Sequence, residues 1–217
     1  MYDNTRNRRE YGAFSRWLGR NALRLMGMKA VGTAPDVKKY ILTAAPHTTN
    51  WDLLMMLLLT RALGIPGVFI MKDTVFWWPL GALWRWLGGI PVNRRAARHV
   101  VGHVETMFKE SESLRLVITP EGTRKAVEHW KLGFYWMALR AEVPVLLGFV
   151  DYKNRETGVG PLVHLTGDIE TDFEQFRAFY EPRAGVVPKY KLRKGEMERM
   201  LGEAAPNPQS PEEKTES

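Results

Sequence analysis

KKYILTAAPHTTNWDLLMMLLLTRAL, residues 38–63, is the stretch from which the fold is read. Residues 40–44 form a short apolar run of strand length, while residues 52–63 are long enough for a helix and apolar on nearly every side. Between them Pro46, Thr48, Thr49 and Asn50 interrupt both patterns and supply the residue types that cap a helix start. A strand that turns directly into a buried helix is the building unit of an α/β sheet.

The same rhythm continues outward from this unit. Residues 68–71, 90–92, 114–119, 145–150 and 163–166 read as further strands. Residues 96–109 read as a helix with one core stripe, Val100, Val101, Val104, Met107 and Phe108. Residues 13–28 read as an N-terminal amphipathic helix, with Phe14, Trp17, Leu18, Leu25 and Met26 to one side and Arg16, Arg20 and Arg24 to another. Both an ordinary surface helix and one lying at a lipid interface have this pattern. The expectation is a single α/β domain with a mixed, mostly parallel sheet flanked by helices. It divides into a basic amphipathic segment (1–30), a globular domain (31–195) and an acidic tail without fixed structure (196–217).

The chain has 31 Lys and Arg against 24 Asp and Glu, a net charge of +7 that suits anionic partners. Nucleic acid is not the expected one, because no basic recognition helix, zinc spacing or RNA-binding signature is present. There is no cysteine, which excludes disulfides and thiolate nucleophiles. The densest apolar run, residues 53–59, is far short of the roughly eighteen residues that span a bilayer, so contact with a membrane would be peripheral. Residues 75–86 hold Phe76, Trp77, Trp78, Trp84 and Trp86, which fit a chain-binding wall, an interfacial belt or plain core packing.

Three runs carry chemistry. In the first, His47 and Asp52 would stand roughly 140° apart on one continuous helix, so they meet only if the chain turns between them and the helix begins near Trp51. A histidine with a carboxylate at one ring nitrogen is a competent general base. With no serine in a nucleophile-elbow pattern, it would act on a substrate hydroxyl. The second run is Gly88-Gly89-Ile90-Pro91-Val92-Asn93-Arg94-Arg95, a strand ending on arginines. The third is Thr119-Pro120-Glu121-Gly122-Thr123-Arg124, where glycine permits close backbone approach and Arg124 offers a fork suited to phosphate. His99 and His103, at i and i+4, lack a third metal ligand and fit a solvated face. His164 falls in an expected strand, and His129 stands near the third run.

In this order and spacing the runs resemble the blocks of the lysophosphatidic acid acyltransferase family, the phospholipid and glycerol acyltransferases. His47 to Asp52 is similar to that family's first block, Gly89 to Arg94 to its second and Pro120 to Arg124 to its third. Val143-Pro144-Val145 is similar to its fourth, and Trp130-Lys131-Leu132-Gly133 resembles an element that follows the third. Two departures stand out: Pro91-Val92-Asn93-Arg94 where the family usually has Phe-Ile-Asp-Arg, and Leu147 near the place of a second proline. The resemblance implies that residues 31–195 are an acyltransferase domain. It implies transfer of an acyl group from acyl-CoA or acyl carrier protein to the hydroxyl of a lysophospholipid, chiefly lysophosphatidate, without metal or other cofactor. His47 would be the base and Asp52 its partner, with Arg94, Glu121, Gly122, Thr123, Arg124 and Lys131 binding the acceptor. Amides of the Glu121–Gly122 turn are the candidate oxyanion donors. The expected place of work is the cytoplasmic side of an anionic membrane.

Overall fold

The computed structural model describes residues 11–49, 51–92, 97–125, 127–184, 187–192, 195, 196 and 200. Seven strands form one sheet: β1 (Lys29–Val31), β2 (Lys39–Ala45), β3 (Val68–Lys72), β4 (Gly89–Val92), β5 (Leu114–Ile118), β6 (Val145–Asp151) and β7 (Glu156–Val163). Their order is β1-β7-β6-β2-β5-β3-β4. From β6 to β4 all pairings are parallel, whereas β7 returns antiparallel to β6 as a hairpin and β1 runs parallel to β7. The fold is the mixed, mostly parallel α/β sheet expected from the sequence, with β2 at its centre.

The helices are α1 (Ala13–Leu25), α2 (Trp51–Leu63), α3 (Leu80–Trp86), α4 (Ala97–Glu110), α5 (Gly133–Arg140) and α6 (Ile169–Ala184). Strand β2 is buried along nearly its whole length, as a central parallel strand covered on both faces must be. Ile41 and Ala45 join the core formed with α4, α5 and α6, while Tyr40, Leu42 and Ala44 pack with Met56 and Leu59 of α2 on the other face. Thr43, fully buried, donates to Leu146 O at 3.2 Å and shares a 2.9 Å hydrogen bond with Tyr180 of α6.

The apolar character of α2 on all sides follows from its position between the sheet and α1. At Gly19 the two helices approach so closely that a Cβ would lie 2.7 Å from Ala62 N and 2.8 Å from Leu58 O. The helices run antiparallel. The Tyr11 ring lies against Arg61 at one end, and Leu23 and Met28 pack with Met55 at the other. Helix α1 therefore turns Gly19 and Leu23 inward, leaving Phe14, Trp17, Leu18 and Leu25 in solvent, Leu25 at 90 % exposure. Two of its arginines bond protein backbone, Arg16 to Tyr11 O at 3.0 Å and Arg20 to Ala62 O at 3.2 Å.

The strand expected at 163–166 is displaced. The hairpin partner of β6 is Glu156–Val163, and residues 164–166 turn away, with the Thr166 amide and hydroxyl both donating to Asp172 at 3.0 Å. Gly158, Gly160 and Pro161 are of residue types that favour turns, yet they lie in this strand because the packing demands small residues here. A Cβ on Gly158 would lie 2.5 Å from Val31 O, and one on Gly160 only 2.0 Å from the Phe179 ring. His164 consequently lies outside the strand and is exposed. Strand β1 and helices α3, α5 and α6 were not among the expected elements. Arg94, the His99 side chain, residues 1–10 and nearly all of the expected tail lie outside the described residues.

Candidate active site

The parallel strands β2, β5 and β6 end at one edge of the sheet, the place where open α/β sheets hold their ligands. His47 follows β2, Glu121 follows β5 and Tyr152 follows β6. The turn between His47 and Asp52 takes the expected form. Helix α2 starts at Trp51, whose amide donates to Thr49 Oγ1 at 3.1 Å, and Asp52 sits in the first turn. This brings His47 Nδ1 to 3.1 Å from Asp52 Oδ2.

The buried Asp52 carboxylate is saturated. Oδ2 also accepts from the backbone amides of Thr48 at 2.6 Å and Thr49 at 2.7 Å. Oδ1 accepts from Thr49 Oγ1 at 3.0 Å and Tyr152 OH at 2.5 Å. Burial by itself pushes the Asp52 pKa up. The hydrogen bonds from His47, Thr49, Tyr152 and Thr48 together outweigh it and hold the group well below the usual carboxylate range. An ionised carboxylate has no proton to give, so Nδ1 of His47 is the donor and Nε2 of a neutral ring keeps the basic lone pair. In return, Tyr152 is pushed up to about 12 by burial and by the Asp52 charge. Tyr152 and the amides of Thr48 and Thr49 were not singled out from the sequence, because a tyrosine one hundred residues away carries no local signal of its partner.

Glu121 holds the other side of the histidine. Its side chain is buried and Oε2 accepts from the His47 backbone amide at 2.6 Å. Burial pushes the Glu121 pKa up, opposed by that hydrogen bond from the amide. At least one carboxylate oxygen expected on the acceptor is thus engaged in fixing the loop that carries His47. Gly122 adopts φ +64°, and its amide donates to Thr119 O at 3.1 Å to close the turn, so that amide is already committed within the protein. The Lys131 amide donates to Pro120 O at 2.8 Å, and its side chain crosses Gly122 so closely that a Cβ would meet Nζ at 2.9 Å. Thr123 Oγ1 accepts from the Lys125 amide at 3.3 Å, and Arg124 is exposed beside it. The structure therefore brings His47, Asp52, Glu121, Gly122 and Lys131 into one network of contacts. Val143-Pro144-Val145 has a structural place: Pro144 O accepts from Ile41 N at 3.0 Å, seating β6 on β2.

His129 stands 3.8 Å from Glu128, and His103 is exposed on α4. Among the described residues no group of three or more His, Cys, Asp or Glu side chains is placed to hold a metal ion.

A mostly parallel sheet whose central strand delivers a histidine onto the loop before the next helix, against an aspartate in that helix's first turn, is an arrangement suited to base-assisted group transfer. The model of the acyltransferase family matches residues 25–146, more than half of the chain, and the protein belongs to that family. Among solved structures, the 1-acyl-sn-glycerophosphate (LPA) acyltransferase PlsC from Thermotoga maritima is similar in fold. Its TM-score is 0.51 at 19 % identity, over 75 % of this chain and 73 % of that one. No curated protein sequence matches the chain.

Proposed function

We propose that this acyltransferase moves a fatty acyl group from acyl-CoA or acyl carrier protein to the free hydroxyl of a lysophospholipid, lysophosphatidate giving phosphatidate. The observation that supports the reading is the His47–Asp52 contact through Nδ1 at the carboxyl edge of the sheet, with which Nε2 acting as the base is consistent. Nε2 takes the proton of the acceptor hydroxyl as its oxygen attacks the thioester carbonyl carbon. The tetrahedral intermediate collapses by breaking the C–S bond, and the departing thiolate takes the proton back from the imidazolium. Ester and free thiol result, with His47 neutral again. A base of this kind contributes about 10²–10⁴-fold to rate. Arg124 and Lys131, together with Arg94, are the groups assigned to the acceptor's phosphate.

The enzyme works as a peripheral protein on the cytoplasmic face of an anionic membrane. No helix among the described residues is long and apolar enough to cross one. Support for surface attachment comes from apolar side chains left in water on separate elements: Phe14, Trp17 and Leu25 of α1, and Trp77, Trp78 and Trp86 around α3, with Trp78 at 86 % exposure. Core packing does not account for those three tryptophans. The test offers a panel of lyso-lipid acceptors with labelled acyl-CoA and acyl carrier protein to the wild type and His47→Ala. The expected result is labelled phosphatidate from the wild type and a loss of turnover of at least about 100-fold in the variant. Turnover that survives in His47→Ala, or a wild type that prefers an acceptor without phosphate, would overturn the assignment.

A further inference from the structure

His129 and the segment after α6 have no part in the site described so far, yet the fold joins them beside it. Trp130 pairs with Tyr190 in a parallel bridge, its amide donating to Lys189 O at 2.8 Å. Side chains alternate across extended chain. Trp130, Leu132, Tyr190 and Leu192 pack on the core that α4, α5 and α6 share, and Pro188 is buried. His129, Lys131, Lys189 and Lys191 therefore share the outer face, at the corners of a rectangle about 5 Å across the two segments and about 7 Å along them. All three lysines are exposed. Glu128 reaches His129 Nδ1 at 3.8 Å from an exposed position, and Glu170 is taken by Tyr190 and Arg177. Among the described residues no acid pairs with Lys189 or Lys191.

We propose that Lys189 and Lys191, with His129 beside them, bind the phosphates at the nucleotide end of coenzyme A, and so make acyl-CoA the donor. The assignment rests on the acyl-transfer reading for its substrate class and on the bridge for its place. Lys131, whose side chain crosses Gly122, is the corner beside the Glu121 turn and keeps its part in holding the acceptor. The pantetheine arm is extended, which lets the phosphates rest outside while the thioester reaches His47. Two observations favour this ligand over other anions. The four cationic positions lie on the sheet face covered by α4, α5 and α6, opposite the layer of α2 and α1, whose Phe14, Trp17 and Leu25 point into solvent. A bilayer held through α1 is not placed to cover them. An acidic protein would bury about 800 Å² on each partner around an apolar centre. Among the described residues the large exposed apolar side chains flanking these positions in the chain are Val127 and Val187 alone. Compact ammonium charges a few ångströms apart suit phosphate groups instead.

Binding is tested apart from turnover by calorimetric titration with adenosine 3′,5′-bisphosphate, with adenosine as the uncharged control. The wild type is expected to bind the bisphosphate and not adenosine at the same concentrations. Lys189→Ala/Lys191→Ala should bind it at least about tenfold more weakly, and Lys189→Arg/Lys191→Arg, which keeps both charges, should recover most of the affinity. Both positions are exposed, and an unchanged melting temperature shows that each variant is folded. In turnover, the ratio of kcat/KM for hexadecanoyl-CoA over hexadecanoyl-pantetheine should fall in the alanine variant by a similar factor. A wild type that does not bind the bisphosphate, equal affinities in wild type and the alanine variant, or an unmoved ratio overturns the proposal. So does an alanine variant that loses use of acyl carrier protein and keeps use of acyl-CoA, which assigns the lysines to an acidic protein. Lysine-dependent binding in a protein that transfers no acyl group would leave the nucleotide site standing and remove the acyl-transfer reading alone.

Discussion

The hydroxyl of Tyr152 reaches Oδ1 of Asp52 at 2.5 Å, joining the end of β6 to the first turn of α2. That bond and the one from Thr49 Oγ1 orient the carboxylate from the side opposite His47. Tyr152→Phe removes the donor and keeps the ring. The expected outcome is a kcat/KM about tenfold lower, the size of one hydrogen bond to a charged group, with a folded protein by circular dichroism.

Asp52 also makes the protein sensitive to acid. Its folded pKa lies below that of an unfolded aspartate, about 3.9, so its contribution to stability is full above that value and is lost progressively as pH falls from there towards the folded pKa. Glu121 has the opposite sign. Its folded pKa is raised, so the native state holds the proton more tightly and gains stability as pH falls through the window above about 4.3. Melting temperatures between pH 7 and pH 3 should therefore fall less steeply in Asp52→Asn than in the wild type, and more steeply in Glu121→Gln.

The hydrogen bond from the His47 backbone amide to Glu121 Oε2 separates two substitutions of the glutamate. Glu121→Gln keeps a side-chain oxygen able to accept, whereas Glu121→Ala leaves the amide without it. Denaturant unfolding should show Glu121→Ala less stable by about 1–3 kcal/mol, with Glu121→Gln closer to the wild type. Activity should follow the same order, because the loop that carries His47 loses its anchor only in the alanine variant.

At Gly19 the contact of α1 with α2 leaves no room for a side chain. Gly19→Val should push α1 off α2, costing about 1–3 kcal/mol through overpacking. Limited proteolysis with trypsin should then cut at Arg20 and Arg24 faster than in the wild type. Equal cleavage rates would show that the two helices are not held at this point.

Much of the site was legible because it is local. Within residues 38–63 an apolar run, a set of capping residues and a helical run fall in succession, and five residues of chain suffice to place His47 against Asp52. The hairpin strand Glu156–Val163 was not legible, since glycine and proline are residue types that weaken a strand pattern, and only the neighbouring Val31 backbone and Phe179 ring explain the two glycines. The surroundings of the pair were equally hidden: Glu121 lies 74 residues from His47, and Tyr152 lies 100 from Asp52.

The pattern of α1 was visible but its orientation was not. Periodicity separates an apolar side from a basic one without saying which side meets the protein. It is the close approach at Gly19 that turns Phe14, Trp17 and Leu25 outward. The sequence by itself determined the α/β class, the strand–turn–helix unit and the histidine–aspartate pair, because these depend on patterns among residues close together in the chain and on their succession along it. Only the tertiary structure decided what saturates Asp52, what Glu121 holds and which face of α1 is left in water, because each depends on groups brought together from distant parts of the chain.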